Sequence, residues 1–374
     1  MKILIRLFVL ASVGLQIGLA QEVVSSPPTV QSLQDRWAWA MTEAKQQKYN
    51  DGVWIAYSID LLMPENSWIG SFHSIPREKD RSLFEIITGR HIERPGTWDL
   101  KDEARRALSR AEERKQRKMV LKEVALMFRY SGKPGDASSF REIHPTNVEA
   151  EVDLDGKPLI WLGKIPQDES IRFLTGYYKN MESSRQKRRM IVAIGIHQNN
   201  KAALDALELI VNSREPDNVR DDAAFWIGQQ DTKDALHFLL KVVRGDESRS
   251  VAEKAIFAIS QIDLEEATDA LIDLGRHAPL RDLRKKAVFW LGQRASKKAV
   301  ENLKAFAYEG NDTEVQKQAV FALSQIHDKE AMDEIIKIAK THPNPRVRKQ
   351  AIFWLGESDD PRAFDVIVEI AKGK

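Results

Sequence analysis

The chain has 374 residues, enough for two domains of ordinary size. It contains no cysteine, which excludes disulfides and thiol chemistry and leaves packing as the source of stability. A formal net charge of +2 makes no electrostatic case for a nucleic-acid or anionic-membrane binder.

The chain begins "MKILIRLFVLASVGLQIGLAQE". Lys2 and Arg6 precede an apolar run that ends at Gly18-Leu19-Ala20. This pattern predicts a secretory signal over residues 1–20, cleaved after the small residues. The run is short for a membrane span, and an uncleaved anchor is the alternative. Because no cysteine follows it, a lipid anchor on cysteine is excluded. Without Lys2 and Arg6 the 57 basic residues become 55, equal to the 55 acidic ones. The mature chain is therefore expected to be exported, periplasmic or secreted, with no transmembrane segment.

Residues 21–29, with "SSPPT", read as a linker. A small α+β domain is expected over 30–150. "VQSLQDRWAWAMTEAKQQ" places Val30, Leu33, Trp37, Met41 and Ala44 on one helix side. "GVWIAYSIDL" and "SWIGSF" alternate as strands do, "KDEARRALSRAEERKQRK" reads as a charged helix, and "VALMFRY" as a strand. Trp37, Trp39, Trp54, Trp68 and Trp98 lie in this region. They suit the core of a small domain; lining a glycan or ligand groove is the alternative. Residues 154–186 read as a degenerate capping repeat, because "LDGKPLIWLGK" aligns with the later "LRKKAVFWLGQ", Trp on Trp and Gly on Gly. A β-hairpin at "EVDLDGKPLIW" competes with that reading.

From Ala223 a motif recurs every 32 residues: "AAFWIGQ", "AIFAISQ", "AVFWLGQ", "AVFALSQ" and "AIFWLGE". Fixed self-similarity at this length marks a solenoid of helix–turn–helix units. Ala235, Leu239 and Val242, with their equivalents in each repeat, sit at i, i+4 and i+7 on one face of the second helix. Trp226, Ala258, Trp290, Ala322 and Trp354 alternate strictly, and Gly228, Ser260, Gly292, Ser324 and Gly356 alternate with them. The true unit is therefore two repeats. Large facing small across layers, or a recent duplication, explains the alternation ahead of a functional aromatic ladder.

The pattern resembles HEAT repeats, specifically the short bacterial kind also seen in phycobilin lyases, over residues 187–374. The resemblance implies a C-terminal HEAT-like α-solenoid; with the small N-terminal α+β domain, which is read from its own residues and resembles no recognised family, the chain is expected to be mainly α. The resemblance also implies that second helices line the concave side. There a stripe opposite the core carries Asp269, Glu301, Asp333 and Asp365 along one edge and Arg244, Arg276, Tyr308 and Lys340 along the other. These residues are the candidate partner-binding set, although acid early and base late in a helix also suits its dipole.

Chemistry finds little support. No nucleophile elbow, phosphate-cradling loop or H-E-x-x-H is present. The iron site of HEAT-like deoxyhypusine hydroxylases uses His-Glu steps, and no His-Glu dipeptide occurs here. No cofactor, metal or catalytic residue is expected. The reading is a non-catalytic protein–protein interaction scaffold or adaptor of the cell envelope, with an unidentified protein partner. The alternative is a ligand- or glycan-binding protein acting through its N-terminal domain, and an enzyme is third.

Overall fold

The structure is a computed structural model, described here for residues 22–27, 29–49, 51–65, 67–69, 81–89, 118–131, 139–326 and 328–372. The expected signal, residues 101–117 of the charged helix, Trp98 and residues 70–72 of "SWIGSF" lie outside these residues; residues 67–69 carry no strand.

The N-terminal part is built on a five-stranded sheet in the order β1-β7-β2-β4-β5. The strands are β1 (Val23–Ser25), β2 (Val53–Pro64), β4 (Met119–Tyr130), β5 (Phe140–Asn147) and β7 (Leu159–Lys164). The short strands β3 (Arg81–Ser82) and β6 (Glu151–Val152) pair separately. β7 runs parallel to both β1 and β2, whereas β2, β4 and β5 form an antiparallel meander. Two-residue periodicity sends alternate side chains to opposite faces. Ile55, Tyr57, Ile59, Leu126, Phe128, Ile160 and Leu162 face one core; Trp54, Ala56, Ala125, Met127 and Leu159 face a smaller one.

Helix α1 (Leu33–Gln46) lays Leu33, Trp37, Ala40 and Ala44 into the larger core. Its start is capped by Ser32 and by Glu169, which accepts the Leu33 N–H at 2.5 Å. The short α2 (Leu83–Thr88) places Leu83 in the smaller core.

Three expectations are corrected here. Residues 21–29 are not a plain linker, because Val23–Ser25 pair with Leu159–Trp161. The α+β domain does not stop at 150, because β7 lies inside its sheet. Within 154–186, the first helix of a capping repeat does not form. Asp155 and Gly156 both adopt left-handed backbone, at φ 55° and 65°. Pro158 then removes a donor and pushes Lys157 away from the helical region. Ile160 and Trp161 point to opposite faces of a strand, so the match of Trp161 to Trp290 is not structural. The competing hairpin does not form either, since β6 pairs with β3 and β7 with β1 and β2.

The second half of that stretch is helical. α3 (Gln167–Lys179) covers the sheet with Ile171, Leu174 and Tyr178 and packs on α4 (Ser184–Gly195). Helix pairs follow without interruption: α5 (Lys201–Val211), α6 (Asp217–Gly228), α7 (Lys233–Gly245), α8 (Arg249–Gln261), α9 (Glu265–His277), α10 (Arg281–Arg294), α11 (Lys297–Tyr308), α12 (Thr313–Ser324), α13 (Lys329–Thr341), α14 (Pro345–Gly356) and α15 (Pro361–Ala371). Starts are punctuated by Ser248, Asp312, Asn344, Thr232, Ser296, Asp328 and Asp360, each accepting an N–H of the first turn. The expected second-helix core positions are buried, with Ile367 and Ile370 of the last repeat half-buried. One apolar core runs unbroken from the sheet into the solenoid.

Candidate functional site: the faces of the solenoid

First helices pack on first helices along the stack, and the alternating residues lie at that seam. Gly228 meets Ala258, and a Cβ built on Gly292 would stand 2.8 Å from that of Ala322. Gly195 likewise lies under Trp226. The small position of one layer therefore abuts the alternating position of the next. Glycine against alanine lets helix backbones approach closely, which is what α6–α8 and α10–α12 do. At α8–α10 and α12–α14 the helices stand further apart, serines 260 and 324 replace the glycines, and Trp290 and Trp354 fill the wider gap. The serine hydroxyls turn back to donate to Phe257 O at 2.6 Å and Phe321 O at 2.7 Å. Small meets large at the first junction, Gly195 with Trp226; beyond it, small meets small at one junction and serine stands with tryptophan at the next.

Beside the tryptophan position stands an invariant phenylalanine: Phe225, Phe257, Phe289, Phe321 and Phe353. These rings lie outside the apolar core and link the tryptophans into a continuous row. Phe225 stacks on Phe257 at 6.0 Å and 12°, and Phe289 on Phe321 at 6.0 Å and 7°. Phe257 leans on Trp290 at 4.7 Å, and Phe321 on Trp354 at 5.0 Å. Within a helix, the phenylalanine and tryptophan rings cross at 75–81°. The row is half-exposed along its length, with Phe353 53% exposed at its end.

Two polar columns flank it on the same helix faces. Four residues before each phenylalanine stand Asp221, Glu253, Lys285, Lys317 and Lys349; four residues after stand Gln229, Gln261, Gln293, Gln325 and Glu357. The aromatic row was legible as a five-fold repeat of phenylalanine. Sequence reasoning passed it over because a repeated aromatic on a helix is usually core.

The second-helix stripe is a different surface. Arg244 pairs with Asp273 at 2.8 Å, Arg276 with Glu309 at 3.3 Å and Lys340 with Glu369 at 2.6 Å. Asp269 pairs with Lys298 and Asp333 with Arg362, both at 2.5 Å. Each of these bonds ties one repeat to the next. Tyr308 rests against His342 at 4.9 Å and under Lys337 at 5.4 Å. Partial burial, reinforced by Glu334, pushes its phenol up to about 12. Only Glu301 and Asp365 of the set are exposed without an ion pair among the described residues. The second helices also lie further apart along the stack than the first helices do. A stack tighter along one row bends toward it, which places the first helices, not this stripe, on the inner side.

The family described as HEAT repeats matches residues 204–291 and 300–374. Residues 204–374 are built of HEAT repeats. No curated protein matches the chain. Among solved structures, the chain is similar to human deoxyhypusine hydroxylase in complex with glycerol, at 18% identity and a TM-score of 0.24. That match covers 54% of this chain and 85% of the other. It is also similar to the complex of CpcE and CpcF of phycocyanin lyase from Nostoc sp. PCC7120, at 17% identity and a TM-score of 0.31. There 51% of this chain and 76% of the other are covered. At these scores neither likeness bears on what the HEAT solenoid here does.

Two first-helix arginines are internal to the HEAT stack. Arg220 donates to Val211 O and to Asp246, and Arg284 to Ala278 O and Asp312. Each closes the end of one second helix; Arg284 also reaches Asp312, the N-cap of α12, and Arg220 reaches Asp246, which ends α7. Burial alone would raise the Asp312 carboxyl, but hydrogen bonds from Arg281 and Arg284 outweigh it and hold it below the usual range.

Where the sheet meets the solenoid, a buried polar relay escaped sequence reading. His197 Nδ1 donates to Ala193 O at 2.9 Å. Its Nε2 therefore accepts from Ser170 Oγ at 3.0 Å, and Ser170 accepts from Tyr57 at 2.8 Å. Desolvation pushes the imidazole down to about 4. In the N-terminal part Trp37 and Trp54 are core residues, whereas Trp68 is 48% exposed beneath Lys122.

Proposed function

We propose that the chain is a non-catalytic interaction scaffold, exported to the cell envelope, that grips a protein partner along its first helices. The observation that supports this reading is the aromatic row. Its rings run unbroken across five consecutive repeats and stay half in solvent, although burying them would stabilise the stack. Repeat solenoids present such extended surfaces to partners. The second-helix stripe supports the reading less, because most of its charges are spent on neighbouring repeats. The alternative of a ligand groove in the N-terminal domain loses the support of Trp37 and Trp54, both buried.

The test is a photo-reactive residue placed in intact cells at Lys285 or Lys349 beside the row, and at Glu301 on the second helices. The scaffold reading expects one protein cross-linked from the first two positions and not from the third. Capture from none of them overturns it.

A further inference from the structure

We propose that the aromatic row binds an extended, proline-rich polypeptide whose acidic residues lie over α10–α14. The inference rests on the scaffold reading and names the chemistry of its partner.

The first argument is shape. Rings that cross at 75–81° within α6, α10 and α14 and stack between helices form a series of clefts, not a flat platform. Proline rings fill aromatic-walled clefts of this kind in the polyproline conformation. The second is period. Packed helices stand about 8–10 Å apart, and three residues of polyproline II rise about 9.3 Å. A phenylalanine–tryptophan cleft recurs every second layer, about 16–20 Å, which matches two turns of the ligand, about 18.6 Å. Five layers span about 40 Å, the length of about 13 such residues.

The third argument is hydrogen bonding. A polyproline chain leaves its carbonyls without internal donors. Gln229, Gln261, Gln293 and Gln325 set one amide per layer beside the rings, and the last three are exposed. The amides of Gln261 and Gln325 each donate once to an adjacent serine, at 3.0 and 3.3 Å, which leaves their second hydrogen available.

Charge gives the direction. On the other flank, Asp221 is held by Ser250 at 2.8 Å, and Glu253 by Arg249 at 2.8 Å and Lys286 at 3.4 Å. Lys285 and Lys349 have no such partner among the described residues. Lys317 between them is held only by Glu314 of its own helix, at 3.2 Å. On this flank the uncommitted charge is positive and lies at the α10–α14 end; Lys254 of α8 is already seated over the Phe257 ring at 5.5 Å, and the exposed Glu357 belongs to the opposite flank.

The test titrates the full chain into labelled peptides of five Pro-Pro-Glu, five Pro-Pro-Lys or five Pro-Pro-Ser repeats, read by fluorescence anisotropy. The glutamate peptide should bind at least about tenfold more tightly than the lysine peptide, and less tightly as salt rises. Lys285→Glu with Lys349→Glu should reverse that order without altering the circular dichroism, since Lys349 is exposed and Lys285 is only half-buried. Phe289→Ser with Phe321→Ser should weaken all three peptides by about tenfold or more. No binding of the glutamate peptide, or binding indifferent to both double variants, overturns the proposal. A β-linked oligosaccharide that binds instead, and is lost with Phe289→Ser and Phe321→Ser, also overturns it by giving the row to a glycan. If peptides fail while cross-linking from Lys285 still captures a protein, the scaffold stands and this inference alone falls.

Discussion

Gly228 and Ala258 touch across neighbouring helices so closely that a Cβ on the glycine would stand 2.6 Å from the alanine's carbonyl oxygen. No side chain larger than the alanine's methyl group fits between those backbones. The same contact returns at Gly292 and Ala322, whereas a serine and a tryptophan occupy the junctions between.

Ala322→Trp should therefore overpack the α10–α12 junction and cost about 1–3 kcal/mol. Gly292→Ser alone should also destabilise. The two together reproduce the composition of the neighbouring junctions and should cost less than their sum, a coupling read in a double-mutant cycle by chemical denaturation. Strict additivity would mean that the alternation is only a trace of duplication. Trp290→Ala should cost less than the about 3–5 kcal/mol of a fully buried aromatic, because the ring is half-exposed.

His197 makes the junction of sheet and solenoid sensitive to acid. Its folded pKa of about 4 lies below the ordinary 6.5. Between those values the unfolded chain holds a proton that the folded chain does not, so stability falls as pH drops from 6.5 toward 4. Asp168 opposes the shift weakly. The loss is on the order of 3 kcal/mol. Thermal melts from pH 7 to 4.5 should show it, and His197→Gln should flatten that part of the profile. An unchanged slope would contradict the neutral, buried imidazole.

The inter-repeat ion pairs should matter little one at a time. Asp269 and Lys298 are both substantially exposed, and such pairs are worth about 0–1 kcal/mol. A double-mutant cycle on them should give a coupling below about 1 kcal/mol that shrinks in salt. Reversing Asp269, Glu301 and Asp333 to lysine together should lower the melting temperature by a few degrees, through like-charge contacts with Lys298 and Arg362. It should leave capture of the partner intact if the first helices bind it.

Export has its own check. Mass spectrometry of the native protein should find Gln21 or a close neighbour at the N-terminus. A form starting at Met1 in the cytoplasm would refute it.

The solenoid was legible because its information is repeated. Ala255, Ala287 and Ala319 each announce the same helix, and five copies average away local ambiguity. The N-terminal sheet was half legible. β2 and β4 show their alternation, but β1 and β7 are strands only because they pair with each other and with β2. Three residues at Val23 and a Trp-Leu-Gly step at Trp161 carry no local sign of that pairing. The candidate stripe was placed on the correct helix face, yet helical phase cannot reveal what a neighbouring repeat offers. Lys298 and Arg362 were invisible as partners of Asp269 and Asp333 until the layers were stacked. The His197 relay joins three elements distant in sequence and leaves no motif.

Because two kinds of junction take turns, the solenoid has a parity. Removing residues 251–314 would bring Gly228 against Ala322 and restore a junction the chain already uses. Removing residues 251–282 would set Gly228 beneath Trp290, a glycine–tryptophan joint that the stack uses where it begins, at Gly195 and Trp226, and not between the repeats that follow. The array can lengthen or shorten by whole pairs of repeats with its joints intact, whereas a change by one moves the joint of the first layer into the middle of the stack. Viable size variants of this architecture should thus come in steps of 64 residues.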